Sequence, residues 1–411
     1  MKFLFDHVPK TAGTSLRVWM EQFFPEQDVY PGHHFEAEVG IPDPEWERWR
    51  FFAAHHAWRK GADEEEVRVT WLRDPESLIR SVYRYQIEQL AVEQSEAAIP
   101  KIAGYPDYEA GLRTGMAFED FLQRVASGGV GFHSYQCRWM NADRGAMGAT
   151  FGGGQRSKLL DRAKAKVAAC RVAGLVERFQ ESVDLLNYRM GWPPVRFGFE
   201  LNRSGSDRVQ ASDEAWEMFR KDNEDFELWN FADGLLSERM AAMDAELGCG
   251  EGERHGRMLD RFLAQGDPTL TETMWNRGEV IYGDGWGPRV QVGRPDEPVI
   301  RWLGAGGRGD AFFPAVAEGW SELSFRVVRN RGHGVMRGLW VEIDGKKVEC
   351  ATRASTSEGY PRATSFRVRL PKPAGGERYR MIRLGVPEAA RDAILATGER
   401  TVLATDGIRL V

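Results

Sequence analysis

The sequence predicts an α/β domain built on a parallel sheet with flanking helices, followed by a C-terminal all-β sandwich or jelly-roll domain. Three observations carry this expectation. The first half alternates short apolar runs with stretches of helical periodicity. The second half breaks into short strand-like runs separated by Gly, Pro and Asp. The chain has 411 residues, more than one hydrophobic core commonly organises. The expected boundaries are 1–250 for the first domain and 258–411 for the second.

Taken in order, Phe3 to Val8 is an apolar run that stops at Pro9, which suits a buried strand. From Thr14 onward Leu16, Trp19, Met20, Phe23 and Phe24 recur at helical spacing, and Thr14 or Ser15 suits the helix start. Val67 to Leu72 is the next strand, with a helix marked by Leu78, Ile79, Val82, Tyr83 and Leu90 behind it. Val172 to Val176 is a third strand, followed by a helix from Glu177 to Met190. Ser212 to Leu247 reads as helical throughout, until Cys249-Gly250-Glu251-Gly252 breaks the pattern. Strands alternating with helices imply a parallel sheet covered on both faces, which binds ligands at the carboxyl ends of its strands. After about Arg257 the runs shorten: Pro298 to Leu303, Leu323 to Val328, Leu339 to Ile343, Phe366 to Leu370 and Tyr379 to Leu384. Asp344-Gly345 between two such runs is a hairpin signal.

Composition narrows the function classes. With 42% hydrophobic and 28% charged residues the chain reads as globular, not disordered. A net charge of −6 argues against a broad nucleic-acid footprint while allowing a local basic cleft. No run of 18 apolar residues or signal-type segment is visible, so no transmembrane segment is expected. Cys137, Cys170, Cys249 and Cys350 form no CxxC or CxxH pattern, so neither a metal site nor a disulfide framework is expected. Free thiols suit the reducing cytoplasm.

The segment Pro9-Lys10-Thr11-Ala12-Gly13-Thr14-Ser15 joins the first strand to the first helix, where a phosphate-binding loop belongs. Small residues let the backbone close around an anion, and Lys10 and the hydroxyls add donors. It is not a Walker A loop, because the GxxxxGK[ST] spacing is absent and Lys10 precedes the glycine. An ordinary capped turn has the same residue types. Arg73-Asp74-Pro75 follows the second strand and aims Arg73 into the same crevice, where its planar fork suits a phosphate. Ser81 lies on the helix behind. A surface ion pair for Arg73 and an incidental Ser81 are the alternatives.

Together, HVPKTAGTSL at 7–16 and WLRDPESLIRSVYRY at 71–85 resemble the two signatures of carbohydrate sulfotransferases, of the uronosyl 2-O-sulfotransferase type and its bacterial relatives. These enzymes use 3′-phosphoadenosine-5′-phosphosulfate (PAPS) as donor and release 3′-phosphoadenosine-5′-phosphate. The resemblance implies a P-loop-like sheet in which Lys10, Thr11, Ala12, Gly13, Thr14 and Ser15 cradle the 5′-phosphosulfate. It implies that Arg73 and Ser81 hold the 3′-phosphate. Tyr135-Gln136-Cys137-Arg138, Ala173 to Phe179, Leu201-Asn202-Arg203-Ser204 and Asn223 to Trp229 resemble later family segments, and Arg203 is implied at the nucleotide phosphate. The likeness spans about 1–245. Leu78 stands where the eukaryotic pattern has a second arginine, so Arg80 is left out of the bound set. The chain starts on its first strand without the membrane anchor of the Golgi enzymes, which suits a cytosolic, bacterial-type enzyme.

Sulfuryl transfer needs positioning, charge stabilisation at the leaving oxygen and a base for the acceptor proton. Lys10 suits the second task. For the base, Ala54-His55 matches a Gly-His pair in relatives, so His55 is the implied residue, with His56 its rival and His33 and His34 further alternatives. No metal is required. The insertion at about 86–160, with Tyr105, Tyr108, Arg113, Arg124, His133, Tyr135, Arg138, Trp139 and Arg144, is expected to face the carbohydrate acceptor. Trp275, Trp286, Trp302, Trp320 and Trp340, with Gly283 to Gly287, suggest a sugar-binding role for the β domain, or equally a packed core. Three other functions remain open on sequence. One is a nucleotide-dependent kinase, one a non-catalytic glycan-binding protein with a vestigial nucleotide site, and one a protein-tyrosine sulfotransferase.

Overall fold

The computed structural model describes residues 2–30, 48–54, 66–92, 115–128, 132–141, 153–196, 209–291, 299–315, 321–331, 335–336, 338–357, 360–372, 375–397 and 401–411. By internal contacts the chain divides into two interleaved units. One comprises 1–14, 30–182 and 201–240, and the other 15–29, 183–200 and 241–411.

The first unit holds a four-stranded sheet. Its strands are β1 (Lys2–Asp6), β2 (Phe51–Ala54), β3 (Glu66–Leu72) and β4 (Val172–Leu175), in the order β2-β1-β3-β4. Every pairing in it is parallel. Phe3, Leu4, Phe5, Phe51, Phe52, Val69, Trp71, Leu72, Val172 and Leu175 are all buried. Near-continuous apolar strands of this kind need cover on both faces. Described helices precede and follow these strands along the chain: α1 (Gly13–Glu21), α2 (Pro75–Val92), α3 (Phe118–Ala126), α4 (Tyr135–Asn141), α5 (Gly153–Ala169), α6 (Phe179–Met190), α7 (Asp213–Arg220) and α8 (Asp225–Leu247), of which α1 and α6 belong largely, and α8 in part, to the other unit. The helix expected over Ser212 to Leu247 is interrupted. Asp222 takes a positive φ of 56°, and the Asn223 side chain accepts from the Asp225 N–H at 3.2 Å. Short polar side chains that bond their own backbone favour such breaks.

The second unit contains α9 (Glu251–Gln265) and α10 (Thr269–Arg277), then eleven described strands and a further helix. The strands are β5 (Ile281–Tyr282), β6 (Trp286–Gln291), β7 (Val299–Gly304), β8 (Arg308–Pro314), β9 (Glu322–Asn330), β10 (Trp340–Ile343), β11 (Lys346–Val348), β12 (Ala351–Ser357), β13 (Tyr360–Arg369), β14 (Tyr379–Gly385) and β15 (Thr401–Leu410), with α11 (Glu388–Leu395) between the last two. They form two antiparallel sheets, β11-β10-β14-β8-β5 and β12-β13-β9-β15-β7-β6. Val341, Ile343, Ile382 and Leu384 from the first share one core with Leu303, Phe325, Phe366 and Leu403 from the second. Asp344 and Gly345, at φ 50° and 75°, turn the β10–β11 hairpin as their sequence requires. The strand-like character expected from Arg257 onward begins later. Arg254, Met258 and Phe262, four residues apart, bury one stripe of α9, and Gly252 and Gly256 disguise that helix in the sequence.

One glycine is demanded by packing as well as by φ. Gly285 sits at φ 79°, and a Cβ there would lie 1.9 Å from the Arg308 carbonyl oxygen. Gly345 has a similar φ of 75° with no atom within 4 Å of its Cβ position. Gly285→Ala is therefore expected to lower unfolding free energy by ~2–4 kcal/mol. Gly345→Ala should cost ~1 kcal/mol. Denaturant unfolding followed by tryptophan fluorescence checks both, and equal losses would show that φ alone matters.

Candidate anion-binding site

The sheet order reverses at β1. The chain leaves β1 toward β2 and later returns to build β3 and β4 on the other side. In such sheets the crevice at the reversal, outside the carboxyl ends of the strands, takes ligands. Here it lies between the segments that follow β1 and β3.

After β1, His7 stacks on the Phe5 ring with centroids 5.6 Å apart. A Cβ on residue 13 would lie 1.8 Å from His7 Nε2, so only glycine allows α1 to start against that ring. Lys10 and Ala12 take positive φ, 68° and 63°, on either side of Thr11. Alternation of backbone hand makes the concavity that receives anions, and here it runs into a helix N-terminus. Thr11 is buried, and its hydroxyl donates to the Val8 carbonyl at 2.7 Å, which closes the loop on itself. Thr14 is exposed, and Ser15 follows it, buried, in the first turn of α1.

Arg73 comes directly after β3. Its Nη1 donates to the Lys10 carbonyl at 3.1 Å, so the two predicted halves of the site meet. Asp74 caps α2, its Oδ1 accepting from the Ser77 N–H at 2.8 Å, and Pro75 occupies the first helical position. Arg-Asp-Pro thus encodes a reaching cation, a cap and a helix start. Ser81 is buried in the second turn of α2 beside the buried Leu78, Ile79 and Val82. Arg80 points elsewhere. Its guanidinium lies 4.3 Å from the Trp216 ring centroid and 3.6 Å from Glu76, which Arg220 also engages. Tyr85 is a residue that sequence reasoning missed. Lys10 Nζ lies 4.1 Å from its ring centroid, a cation–π contact on a half-exposed tyrosine. Its place four residues after Ser81, on the same helical face, is the signal that would have found it.

The segments Tyr135 to Arg138 and Asn223 to Trp229 come together behind Arg73. Gln136 Oε1 accepts from the Arg73 N–H at 2.9 Å, and Gln136 Nε2 donates to the Arg73 carbonyl at 2.8 Å. The Asp225 carboxylate accepts from the backbone N–H of Gln136 at 2.9 Å and of Cys137 at 2.8 Å, capping α4. Asp225 is buried, which pushes its carboxyl up to about 6 although the two N–H donors favour the ionised form. Burial pushes the Cys137 thiol well above its ordinary value, with the Asp225 charge adding to it, so this cysteine is no nucleophile at neutral pH.

Other expectations fall differently. His55, His56, His33, His34, Arg203, Tyr105, Tyr108, Arg113, Arg144 and Trp320 lie outside the described residues. β2 ends at Ala54, one residue before His55 in the sequence, in register with Asp6 at the end of β1. Of the aromatics assigned to an acceptor surface, His133, Tyr135 and Trp139 are buried, and the two rings Tyr135 and Trp139 pack on each other with centroids 5.5 Å apart. Trp286 is likewise buried in the β core, while Trp275 is exposed on α10. Among the described residues no group of His, Cys, Asp and Glu is placed to hold a metal ion. No described helix is long and apolar enough to cross a membrane. In comparisons with known proteins, no family model and no curated protein matches the chain.

Asp225 gives a signed pH dependence. Its folded value of about 6 exceeds its ordinary 3.8, so the folded chain binds the proton more tightly. Stability from this group therefore rises as pH falls from about 6 toward 4, by ~1.4 kcal/mol per unit at most. Asp225→Asn should abolish that slope relative to wild type. It should also lower stability at pH 7 by ~1–3 kcal/mol, because the amide cannot accept from both N–H groups. Denaturant unfolding at pH 4, 5, 6 and 7 measures the difference, and parallel curves for the two proteins would refute the assignment.

Proposed function

We propose that this chain is a PAPS-dependent carbohydrate sulfotransferase of the cytoplasm, with a P-loop-like α/β domain and a jelly-roll-type accessory domain. The observation that carries the reading is the contact between Arg73 and Lys10 at the switch point of the parallel sheet. The donor set there is a lysine, an arginine and a loop of alternating hand. It suits a nucleotide with phosphates at two positions better than a neutral ligand.

In this reading the loop from Lys10 to Ser15 holds the 5′-phosphosulfate, and Arg73 and Ser81, with Arg203, hold the 3′-phosphate. Lys10 swings from Tyr85 to the bridging oxygen and stabilises the charge that grows there. His55 takes the proton from the acceptor hydroxyl of a carbohydrate. The acceptor oxygen forms its bond to sulfur as the bond from sulfur to the 5′-phosphate oxygen breaks, in line. Lys10, Arg73 and His55 do this by charge and position and need no metal.

Calorimetry with adenosine 3′,5′-bisphosphate, AMP and ATP, with and without Mg²⁺, tests the donor site. The bisphosphate is expected to bind without metal and more tightly than AMP. Arg73→Ala should weaken it ~10- to 100-fold, the loss of charge-assisted hydrogen bonds. Lys10→Ala should lower turnover ~100- to 1,000-fold once an acceptor is found. Mg²⁺-dependent binding of ATP in preference to the bisphosphate would favour a kinase instead.

A further inference from the structure

The strand pairings of β3 stop before Arg73. On one side the last pair is Asp6 with Thr70, and on the other Leu72 with Leu175, beyond which the Leu72 carbonyl accepts from the Val176 N–H at 3.0 Å. Arg73 lies past both. Gln136 supplies what a further strand would have supplied. One carboxamide meets both the N–H and the C=O of Arg73, the exchange that a hydrogen-bonded pair makes in an antiparallel ladder. Gln136 has no exposed surface, so water is a poor substitute for either bond.

The carboxamide is itself held. Gln136 lies in the first turn of α4, and Asp225 caps that helix from the start of α8. Asn223 Oδ1 accepts from the Ser134 N–H and from the Asp225 N–H, each at 3.2 Å, and Ser134 Oγ accepts from the Glu224 N–H at 3.2 Å. The start of α4 and the start of α8 therefore fix each other, and Gln136 carries that fixity to Arg73.

We infer that Gln136 is a positioning residue: its carboxamide completes the end of β3 and sets the direction in which Arg73 presents its guanidinium to a phosphate. This rests on the nucleotide-binding reading above. Gln136 itself does not touch the ligand. Its loss should be felt at the phosphate that Arg73 holds and not at the one held by the loop.

The experiment uses the full chain and the variants Gln136→Met, which keeps the volume, and Gln136→Glu, which keeps the acceptor toward the Arg73 N–H. Binding of adenosine 3′,5′-bisphosphate and of AMP is measured by calorimetry. Amide hydrogen exchange is followed in the peptide containing Arg73. Gln136→Met should weaken the bisphosphate ~10- to 100-fold, as loss of an outer support does at other sites. AMP affinity should change less than about twofold. Exchange of the Arg73 amide should quicken at least about tenfold, since its partner is gone. If Gln136→Met does not fold, Gln136→Glu decides by the two affinities, since it loses the donor toward the Arg73 carbonyl but keeps the partner of the Arg73 N–H. Unchanged bisphosphate affinity in a folded variant overturns the inference and leaves the functional reading standing. Equal losses for bisphosphate and AMP reduce Gln136 to a fold residue and also overturn it. If wild-type protein ignores the bisphosphate, the functional reading falls and the inference falls with it.

Discussion

Parallel pairing of β1 with β3 is the constraint on which the candidate site depends. Parallel neighbours end at the same edge of a sheet, so whatever follows them in sequence is delivered to one place. Here one strand is followed by a loop carrying Lys10 and the other by Arg73. Arg73 lies 63 positions after Lys10 in the chain, yet it reaches the Lys10 carbonyl. An antiparallel pairing would have put them at opposite edges. Phe3, Phe5, Val69 and Trp71 on one face of the pair and Leu4, Thr70 and Leu72 on the other are all buried, as a parallel pair covered on both sides requires.

How much was legible in the sequence follows from how local each signal is. The β1, β3 and β4 strands, the loop between β1 and α1, and the Arg-Asp-Pro corner are each encoded by neighbours in the chain. The apolar runs, Gly13 and the Asp74–Pro75 cap could therefore be read directly. The Asp344-Gly345 hairpin belongs to the same class, a turn chosen by the φ that two adjacent residues tolerate. What stayed hidden is made by distant partners. Nothing local marks Gln136 as the grip on Arg73, or Asp225 as the cap of α4, since these bonds span 63 and 89 residues. Helix α9 was hidden for a different reason, two glycines in its first two turns and a stripe of only three buried side chains.

Aromatic residues show the limit of composition most clearly. A segment rich in tyrosine, tryptophan and histidine looks like a sugar-binding surface, but a ring can equally fill a core. Tyr135 and Trp139 face each other behind the site, and Tyr83, Phe118 and Phe121 pack nearby, with Tyr83 giving its hydroxyl proton to the Met116 carbonyl at 2.6 Å. These rings stiffen the elements that carry Arg73 and Gln136. The Trp286 indole, buried between the two antiparallel sheets, is a packing residue in the same sense.

The chemistry of the supports matters as much as their rigidity. Elsewhere in this chain arginines are fixed by carboxylates: Arg178 by Glu181 and Asp233, Arg254 by Asp244, Arg383 by Asp310. Such pairs hold the side chain well but spend its charge on the protein's own anions. At Arg73 a carboxamide grips the main chain, and the Lys10 peptide carbonyl accepts from the guanidinium. The buried carboxylate in this network, Asp225, acts one step back, on the backbone of α4. Lys10 has its ammonium over the face of Tyr85, whose ring attracts and orients a cation. The bond to the Lys10 carbonyl and the ring of Tyr85 thus orient the two cations at the end of the sheet where β1 and β3 both stop, and parallel pairing is what brings those supports to one place.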